Sequence, residues 1–221
     1  MRILAVGAHL DDIELACGGT IAKALEDGHT VKMVVMSRSG YTNYDGTQMR
    51  TDDTAEIEGH KAAAILGVEE LDIFNYETKN VAYHYTVIET LDKVISDFNP
   101  DVIFTHHVFD THQSHEGTAK STISAARRKN TIFMYEPIVP SGRSYVAFHP
   151  QLYIGFSSAH LNKKIDALKA HETEYRKFGE NWIDGVQARA RFRGYEMGTE
   201  YAEAFEVIRC TLEGISWGSK L

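Results

Sequence analysis

Strand-like and helix-like segments alternate along most of the chain, and this order constrains the fold more than any other feature of the sequence. Short apolar runs such as RILAVGA (2–8) and HTVKMVVMS (29–37) have the length of buried strands. Between them lie segments with apolar residues at helical spacing, such as GGTIAKALED (18–27), which Gly28 closes. Parallel βαβ units produce this order. We therefore predict an α/β fold with a Rossmann-like, mostly parallel sheet and helices on both of its faces.

The remaining predicted elements continue this alternation. They are strands at 70–76, 101–107, 131–137 and 152–158, and helices at 54–67, 86–98, 115–128 and 161–178. A polar loop with glycines occupies 38–53, and YAEAFEVIR (201–209) fits either a strand or a helix by its periodicity. The 221 residues contain no repeat and no linker-like segment, so we predict a single domain over residues 1–221.

Charge and cysteine content restrict the partners and the location that we expect. The formal net charge of −8 argues against nucleic acid or an anionic membrane surface as the main partner. No apolar run approaches about 20 residues, and the N-terminus lacks the basic and apolar regions of a signal peptide. Cys17 and Cys210 are far apart in the sequence, which favours reduced thiols. We therefore expect a cytoplasmic protein without a membrane span.

A first polar cluster directly follows the first predicted strand. The segment GAHLDDIELACGG (7–19) places His9, Asp11 and Asp12 behind an apolar run. Burying an unpaired charge costs several kcal/mol or more, so such groups are paired, solvated or bound to a metal. The cluster therefore requires partners from elsewhere in the chain.

A second cluster follows the predicted strand at 101–107. The segment FTHHVFDTHQSHEG (104–117) contains His112 and His115, whose spacing lets one turn of helix or a tight loop aim both imidazoles at the same space. In open α/β sheets, ligands bind beyond the carboxyl ends of the strands. We therefore expect the two clusters to meet at one edge of the sheet.

The residue types of the two clusters indicate a metal centre. Imidazole and carboxylate without thiolate suit zinc, or another divalent ion such as Fe²⁺, held by three protein ligands with one position left for water. Zinc lowers the pKa of bound water from about 15.7 towards about 7, and a neighbouring carboxylate can take its proton. Two adjacent aspartates can divide these tasks, one binding the ion and one facing the water.

Simpler roles are open for several of these residues. Asp11 or Asp12 could cap the N-terminus of the following helix. One of His106 and His107 could be a core histidine with satisfied hydrogen bonds, or could orient a neighbouring ligand. Asp110 could orient a ligand imidazole or merely begin a turn.

The two clusters also resemble the signatures of a known family. AHLDDIELACGGTIAK resembles the AHPDDE signature of the LmbE-like, or PIG-L-like, zinc-dependent N-deacetylases, and HVFDTHQSHEG is similar to their second signature, HxxDxHxDH. Further similarity in KAAAILGV, KIDALKAHETEY and YAEAF extends the resemblance over nearly the whole chain. The resemblance implies a hydrolase that removes an acyl group, usually acetyl, from the nitrogen of an amino sugar or a related amine.

The resemblance also implies roles for individual residues. Three residues would be zinc ligands: His9, Asp12 and His115. Asp11 would be the general base that deprotonates water and later passes the proton to the leaving amine. His112 would stabilise the oxyanion, as an imidazolium held by Asp110.

This chain departs from the family pattern at three places. Leu10 stands where the first signature has proline, and Ile13 and Glu14 follow the aspartates because the glutamate is shifted by one position. Ser114 replaces the aspartate of the second signature, which leaves the orientation of the nearby histidines open. The arginine that often begins the third helix in the family, where it contacts substrate, is absent from its usual place, and Arg50 is our substitute for it.

Two segments are predicted to form the rim of the pocket, RSGYTNYDGTQMR (38–50) and EPIVPSGRSY (136–145). The residues that we expect to contact the substrate are Arg38, Tyr44, Arg50 and Arg143, with Tyr41 beside them. Such residues can stack on a sugar face or neutralise a phosphate. A flexible polar loop is the alternative for each of them.

The sequence thus predicts a metal-dependent hydrolase that deacetylates a small-molecule amino sugar or sugar conjugate. Two alternatives stay open: a metal-dependent phosphoesterase, which needs more carboxylates than the clusters supply, and a non-catalytic metal-binding module. Family resemblance also leads us to expect homo-oligomers.

Overall fold

The computed structural model describes residues 1–138 and 143–211. The strands are β1 (Arg2–Gly7), β2 (Thr30–Ser37), β3 (Tyr41–Thr42), β4 (Gln48–Arg50), β5 (Glu70–Tyr76), β6 (Val102–Thr105), β7 (Ile132–Tyr135), β8 (Leu152–Phe156) and β9 (Tyr201–Arg209). The helices are α1 (Asp12–Glu26), α2 (Asp52–Leu66), α3 (Tyr85–Phe98), α4 (Gln113–Ala125), α5 (Ser158–Ala170), α6 (Glu172–Phe178) and α7 (Glu180–Met197).

Seven of the strands form one mixed sheet in the order β5-β2-β1-β6-β7-β9-β8. The first five strands of this order are parallel, and β9 runs antiparallel to both of its neighbours. β3 and β4 form a separate two-stranded sheet within the predicted polar loop. The predicted α/β class with a mostly parallel sheet is confirmed.

Helices cover both faces of this sheet because the inner strands are apolar on both sides. Along β1, Ile3 and Ala5 pack in one cluster with α1 and α2, whereas Leu4 and Val6 pack in another with α3. Alternate residues of a strand point to opposite faces, and a strand buried on both faces reads as a continuous apolar run. This is the pattern of RILAVG in the sequence.

The predicted boundaries differ from the observed ones at α1. The helix begins at Asp12 rather than at residue 18, and it is kinked at Cys17, whose φ and ψ are −139° and 23°. Backbone N–H groups that a kink deprives of helical partners need other acceptors. The Glu203 carboxylate of β9 accepts the N–H groups of Gly19 and Thr20, at 3.0 and 2.7 Å, and also binds the buried Lys164 ammonium. The kink is therefore stabilised from the far end of the chain.

Two other predictions from periodicity need correction. The single helix predicted at 161–178 is wrong, because the chain forms α5 and α6 with a break at His171 (φ −76°, ψ 66°). Helix α7 was not predicted, although its buried residues Ile183, Val186, Ala190 and Gly194 are spaced as on one helical face. Residues 201–209, which fitted either type, form strand β9.

The topology brings the two polar clusters together. β1 and β6 are adjacent and parallel, so the segment after β1 and the segment after β6 leave the same edge of the sheet. No helix in the part of the chain that the structure describes is long and apolar enough to cross a bilayer. The prediction of one domain and the cytoplasmic location stay predictions.

We expect Gly117→Ala to destabilise the protein, because an added Cβ would lie 1.9 Å from the carbonyl oxygen of Val81. Backbone cannot move aside as a side chain does, so the free energy of unfolding should fall by about 1–3 kcal/mol. Gly185→Ala is the matched control, since nothing lies within 4 Å of that position on α7. It should leave stability unchanged or raise it by up to about 1 kcal/mol. Urea unfolding of both variants checks the difference; equal stabilities would contradict it.

Candidate active site

Donor atoms of three residues from the two clusters converge on one point. The Nδ1 of His9 lies 3.3 Å from a carboxylate oxygen of Asp12 and 3.1 Å from the Nε2 of His115, and the Nε2 of His115 lies 3.2 Å from the other oxygen of Asp12. Zinc binds such atoms at about 2.0–2.2 Å, which leaves them about 3–3.5 Å apart. The donor set and its spacing therefore fit one divalent ion.

Hydrogen bonds at the far side of each ring fix which nitrogen faces this point. The Nε2 of His9 lies 2.9 Å from the carbonyl oxygen of Thr78, and the Nδ1 of His115 lies 3.0 Å from the carboxylate of Asp110. These oxygens only accept, so the ring nitrogens that face them carry the protons. The nitrogens that face each other then present lone pairs to each other and to Asp12, an arrangement that requires a cation or a proton between them.

Asp12 is held in place by the turn that follows β1. Its Oδ2 accepts the backbone N–H groups of Ala8 and His9, at 3.1 and 2.7 Å, which leaves Oδ1 to face His115. The buried ring of His106 lies 3.1 Å from Oδ2 and stacks on the ring of His115 with centroids 4.1 Å apart. Two groups of donors among the described residues could hold a metal ion: His9, His112 and His115, and Asp12, His106 and His115. His106 therefore packs against two of the predicted ligands.

Asp110 and Ser114 make hydrogen bonds around the two histidines of the second cluster. The Asp110 carboxylate contacts the ring of His115 and accepts the backbone N–H of His112, and an imidazolium of His112 held by Asp110 stays a prediction. The Nδ1 of His112 accepts the backbone N–H of Ser114 at 3.2 Å. The Ser114 hydroxyl donates to the Thr78 carbonyl at 3.0 Å, so this serine ties α4 to the loop after β5.

The adjacent aspartates differ in pKa. Burial raises the pKa of Asp11 to about 7, and the charges of Asp12 and Glu174 add to this, while His171 and Arg50 oppose it. Burial also disfavours the ionised form of Asp12, but the nearby histidine rings hold its pKa well below the usual value. Such a pair supplies one permanent anion and one group that can exchange a proton near neutral pH.

The histidine rings are also strongly perturbed. Burial lowers the pKa of His115, but the carboxylates of Asp12 and Asp110 outweigh it and raise the value to about 10. Burial, together with His9 and His115, lowers the pKa of His112 to about 4. The charges at the convergence point therefore favour a cation there, whereas His112 stays neutral.

Asp11 is not used as a helix cap, which was the simpler alternative for it. It occupies the N-cap position of α1, but its side chain makes no capping hydrogen bond. Its backbone has φ 123° and ψ −25°, a conformation that a non-glycine residue rarely adopts. Such strain costs on the order of 1–3 kcal/mol and persists only where the surroundings impose it. The conformation of Asp11 is therefore imposed by the groups around it.

A cavity of about 300 Å³ opens over the donor atoms. Its lining includes polar residues of the two clusters: His9, Asp11, Asp12, His112 and His115. It also includes apolar and aromatic residues: Leu15, Tyr41, Ile138, Phe178 and Trp182. A larger groove of about 600 Å³ lies at the start of β1, β2 and β5, but no histidine is among the described residues that line it. The cavity at the strand ends is therefore the candidate active site.

The structure separates the predicted substrate-contacting residues. Arg50 and Tyr41 line the cavity, and the Arg50 side chain is 3% exposed. Arg38 instead pairs with carboxylates at the start of α2, Tyr44 is fully exposed, and Arg143 is exposed. These last three are not among the described residues that line the cavity. Residues 139–142 of the second predicted rim segment lie outside the described residues, and substrate contact by any of these residues stays a prediction.

Several cavity residues were not anticipated from the sequence. Glu174, Lys177 and Phe178 come from α6, and Trp182 comes from α7. The Lys177 ammonium lies over the rings of Tyr41 and Phe178, at 5.0 and 4.6 Å from their centroids. The aromatic and charged residues of YRKFGENW were the available signal, but the change of direction at Gly179, which joins α6 to α7, leaves no mark in the periodicity.

The comparisons with known proteins agree with this geometry. Residues 4–126, more than half of the chain, match the family described as PIG-L: GlcNAc-PI de-N-acetylase. The chain belongs to this family. It is 32% identical over 177 residues to the uncharacterized deacetylase YaiS of Escherichia coli K12, an alignment that covers 77% of this chain and 90% of YaiS.

More distant relatives extend the likeness to the whole fold. The diacetylchitobiose deacetylase of Thermococcus kodakarensis is 21% identical, with 94% of this chain and 83% of that protein covered. The conserved protein TT1542 from Thermus thermophilus superposes with a TM-score of 0.82 at 22% identity, and 99% of each chain is covered. A 4-carboxy-2-hydroxymuconate hydratase from Pseudomonas putida also has this fold, with a TM-score of 0.76, 17% identity and coverage of 96% and 97%. The fold alone therefore does not fix the reaction.

We expect added zinc to stabilise the folded protein, because the converging donor atoms bind a cation only in the folded state. At a free zinc concentration 100-fold above Kd the gain is about 2.7 kcal/mol. His115→Ala should lose most of this gain, whereas His60→Ala, at an exposed position of α2, should keep it. Thermal unfolding with and without zinc provides the measurement, and an equal zinc effect in both variants would rule out the assigned ligands.

Proposed function

We propose that this protein is a zinc-dependent amidohydrolase that removes the N-acetyl group from an amino sugar or a sugar conjugate. The observation that carries the proposal is the convergence of two imidazole lone pairs and one carboxylate in a cavity that also contains a second carboxylate, that of Asp11. Membership of a de-N-acetylase family and the deacetylase relatives support the same reaction.

His9, Asp12 and His115 would hold the metal ion, with Fe²⁺ as an alternative to Zn²⁺. Their chemistry fits, since two neutral imidazoles and one carboxylate are typical of hydrolytic zinc sites. Such an ion acidifies water and polarises a carbonyl oxygen. The remaining chemistry is assigned to side chains of the chain itself.

Asp11 is the proposed general base. Its carboxylate lines the cavity beside Asp12, and its raised pKa of about 7 suits a group that takes a proton from water and returns it to the leaving amine. An amine leaves an amide only when it is protonated, so the same group serves both steps. Asp12 is unsuited to this task because its pKa is held low by the surrounding histidines.

His112 is the proposed donor to the oxyanion of the tetrahedral intermediate. Its Nδ1 accepts the Ser114 N–H, so the proton of the neutral ring lies on Nε2 and is available to an oxygen in the cavity. A neutral donor replaces the imidazolium that the family resemblance implied. A hydrogen bond to a charge that develops in the transition state is worth about 10²–10³ in rate.

The proposed substrate class follows from the other residues that line the cavity. Tyr41, Phe178 and Trp182 offer aromatic surface, on which the apolar face of a pyranose ring can stack, while Lys79 and Lys177 offer hydrogen-bond donors for hydroxyl groups. The names of the family and of the T. kodakarensis relative refer to N-acetylated sugars, which supports the same class. The cytoplasmic location and homo-oligomeric assembly remain predictions.

The two alternatives have less support. A phosphoesterase with two metal ions needs separate ligand sets, whereas the two donor groups found among the described residues share His115 and contain one carboxylate, Asp12. A non-catalytic module has no need of Asp11 in a strained turn beside the donors. Two metal ions per chain would favour the phosphoesterase. Absence of amine release from N-acetylated sugars would favour the non-catalytic module.

We expect Asp11→Asn to lower kcat for deacetylation of N-acetylglucosamine or N,N'-diacetylchitobiose by about 10²–10⁴, because amide cannot accept the proton. Zinc content should stay at one ion per chain. Asp27→Asn, at the surface beyond α1, is the control and should keep full activity. Amine and acetate release from zinc-loaded protein is measured; equal product from Asp11→Asn and the wild type would refute Asp11 as base.

Asp110→Asn should weaken zinc binding by about 10–100-fold, because loss of the charge at the Nδ1 of His115 makes that ring a poorer ligand. Asp97→Asn removes an exposed carboxylate from an i,i+4 pair and should not change affinity. Competition with a chromogenic chelator gives both constants. Unchanged affinity in Asp110→Asn would show that this carboxylate does not support the metal site.

A further inference from the structure

Leu10, the residue before the strained Asp11, is held at both of its backbone polar groups. The N–H of Leu10 donates to the Ser39 hydroxyl at 2.8 Å, and the carbonyl of Leu10 accepts from the Nη1 of Arg50 at 3.1 Å. The orientation of the Leu10 carbonyl sets the φ angle of Asp11, which is 123°. Arg50 therefore helps to impose the backbone conformation from which the Asp11 carboxylate projects.

Arg50 is itself held by a chain of buried groups. It is 3% exposed, and its Nη2 lies 3.2 Å from the Glu58 carboxylate and 3.1 Å from the Nδ1 of His171. Glu58 also accepts the N–H and hydroxyl of Thr173, at 2.9 and 2.7 Å. The guanidinium is thus fixed between α2 and the segment that joins α5 to α6.

The direction of the hydrogen bonds through His171 is determined by chemistry. A guanidinium can only donate, so the Nδ1 of His171 accepts from Arg50. The proton of the neutral ring then lies on Nε2, which faces the Glu14 carboxylate at 3.2 Å. Glu14 is 1% exposed, and His171 is fully buried. The ring therefore connects β4 to α1: its Nδ1 accepts from Arg50, and its Nε2 donates to Glu14.

The position of His171 in the fold explains why the helix predicted at 161–178 is interrupted. The chain leaves helical geometry at this residue, between α5 and α6, and its ring lies between Arg50 and Glu14. A break in a helix has an identifiable cause, and here the interrupted segment supplies contacts that Arg50 needs. None of the hydrogen bonds of His171 reaches the donor atoms of His9, Asp12 or His115.

We propose that His171 is a positioning residue for catalysis: through Arg50 it fixes the peptide between Leu10 and Asp11, and so aims the Asp11 carboxylate. The inference rests on the proposed function only in the role that it gives to Asp11. Since His171 does not contact the metal donors and is not among the described residues that line the cavity, its loss acts on kcat rather than on zinc affinity or KM.

The test compares two substitutions that differ in hydrogen bonding. His171→Phe keeps a planar ring but removes the acceptor and the donor, whereas His171→Gln keeps one of each. We expect His171→Phe to lower kcat by about 10–100-fold, with zinc content and KM within about two-fold of the wild type. His171→Gln should recover kcat to within about three-fold of the wild type.

The matched control is His160, a buried histidine of α5 whose ring contacts a carboxylate, that of Glu26, far along the chain from Arg50. His160→Phe should leave kcat within about two-fold of the wild type. Arg50→Lys is a second test if His171→Phe does not fold. Lysine keeps the positive charge but cannot reproduce the planar guanidinium that binds the Leu10 carbonyl and His171 together, so kcat should fall. The Arg50→Lys/His171→Phe double variant should be no slower than the slower of the two single variants, since both act through one path.

Several results would overturn the inference. They are an unchanged kcat in folded, zinc-loaded His171→Phe, an equal loss in His160→Phe, no rescue by glutamine, and additive losses in the double variant.

A crystal structure of His171→Phe gives a readout that does not depend on activity. We expect the Arg50 Nη1 to have left hydrogen-bond distance of the Leu10 carbonyl, and retention of the 3.1 Å contact would contradict the proposal. If the wild type binds zinc but releases no amine, the proposed function fails, and this structural result alone decides the role of His171.

Discussion

The Nδ1 of His9 and the Nε2 of His115 lie 3.1 Å apart, and each lies within 3.3 Å of a different oxygen of the Asp12 carboxylate. This arrangement is unfavourable unless positive charge lies among these atoms. The hydrogen bonds of His9 to Thr78 and of His115 to Asp110 prevent the rings from turning a proton-bearing nitrogen inward. The surrounding structure serves to keep these donors in place. Without a cation or a proton at this point, the two ring nitrogens and the Asp12 carboxylate would repel one another in a region with little water.

The sheet makes this concentration of donors possible. β1 and β6 are neighbours in the middle of seven strands, so the turns that follow them start from a rigid, buried frame. Helices α1 and α4 then begin within a few residues of the donors, and the Glu203 carboxylate of β9 stabilises the kinked α1. Precision at the site therefore depends on packing far from it.

The part of the site built from adjacent residues was predictable, and the part built by irregular backbone was not. The apolar runs predicted the parallel sheet, and the sheet predicted that the two polar clusters would meet, because strand ends converge in such folds. The family resemblance then selected His9, Asp12 and His115 within them. The choice between capping and catalysis for Asp11 depends on a φ angle of 123°, which no periodicity encodes. The break at His171 could not be predicted either, since KAHETEY continues a helical pattern. Arg50 was expected at the site as the substitute for the arginine of the family, but its burial among Glu58, His171 and the Leu10 carbonyl was not expected.

The cavity is assembled from two separate stretches of the chain. The donors and Asp11 lie within residues 4–126, the stretch that matches the family, as do Leu15 and Tyr41, whereas the lining residues Ile138, Phe178 and Trp182 lie beyond it. Selection can therefore alter these three lining residues while the reactive groups stay unchanged. An exchange of the whole later stretch between homologues has a stricter condition, because it must retain His171 and Glu203, which hold Arg50 and the kinked α1.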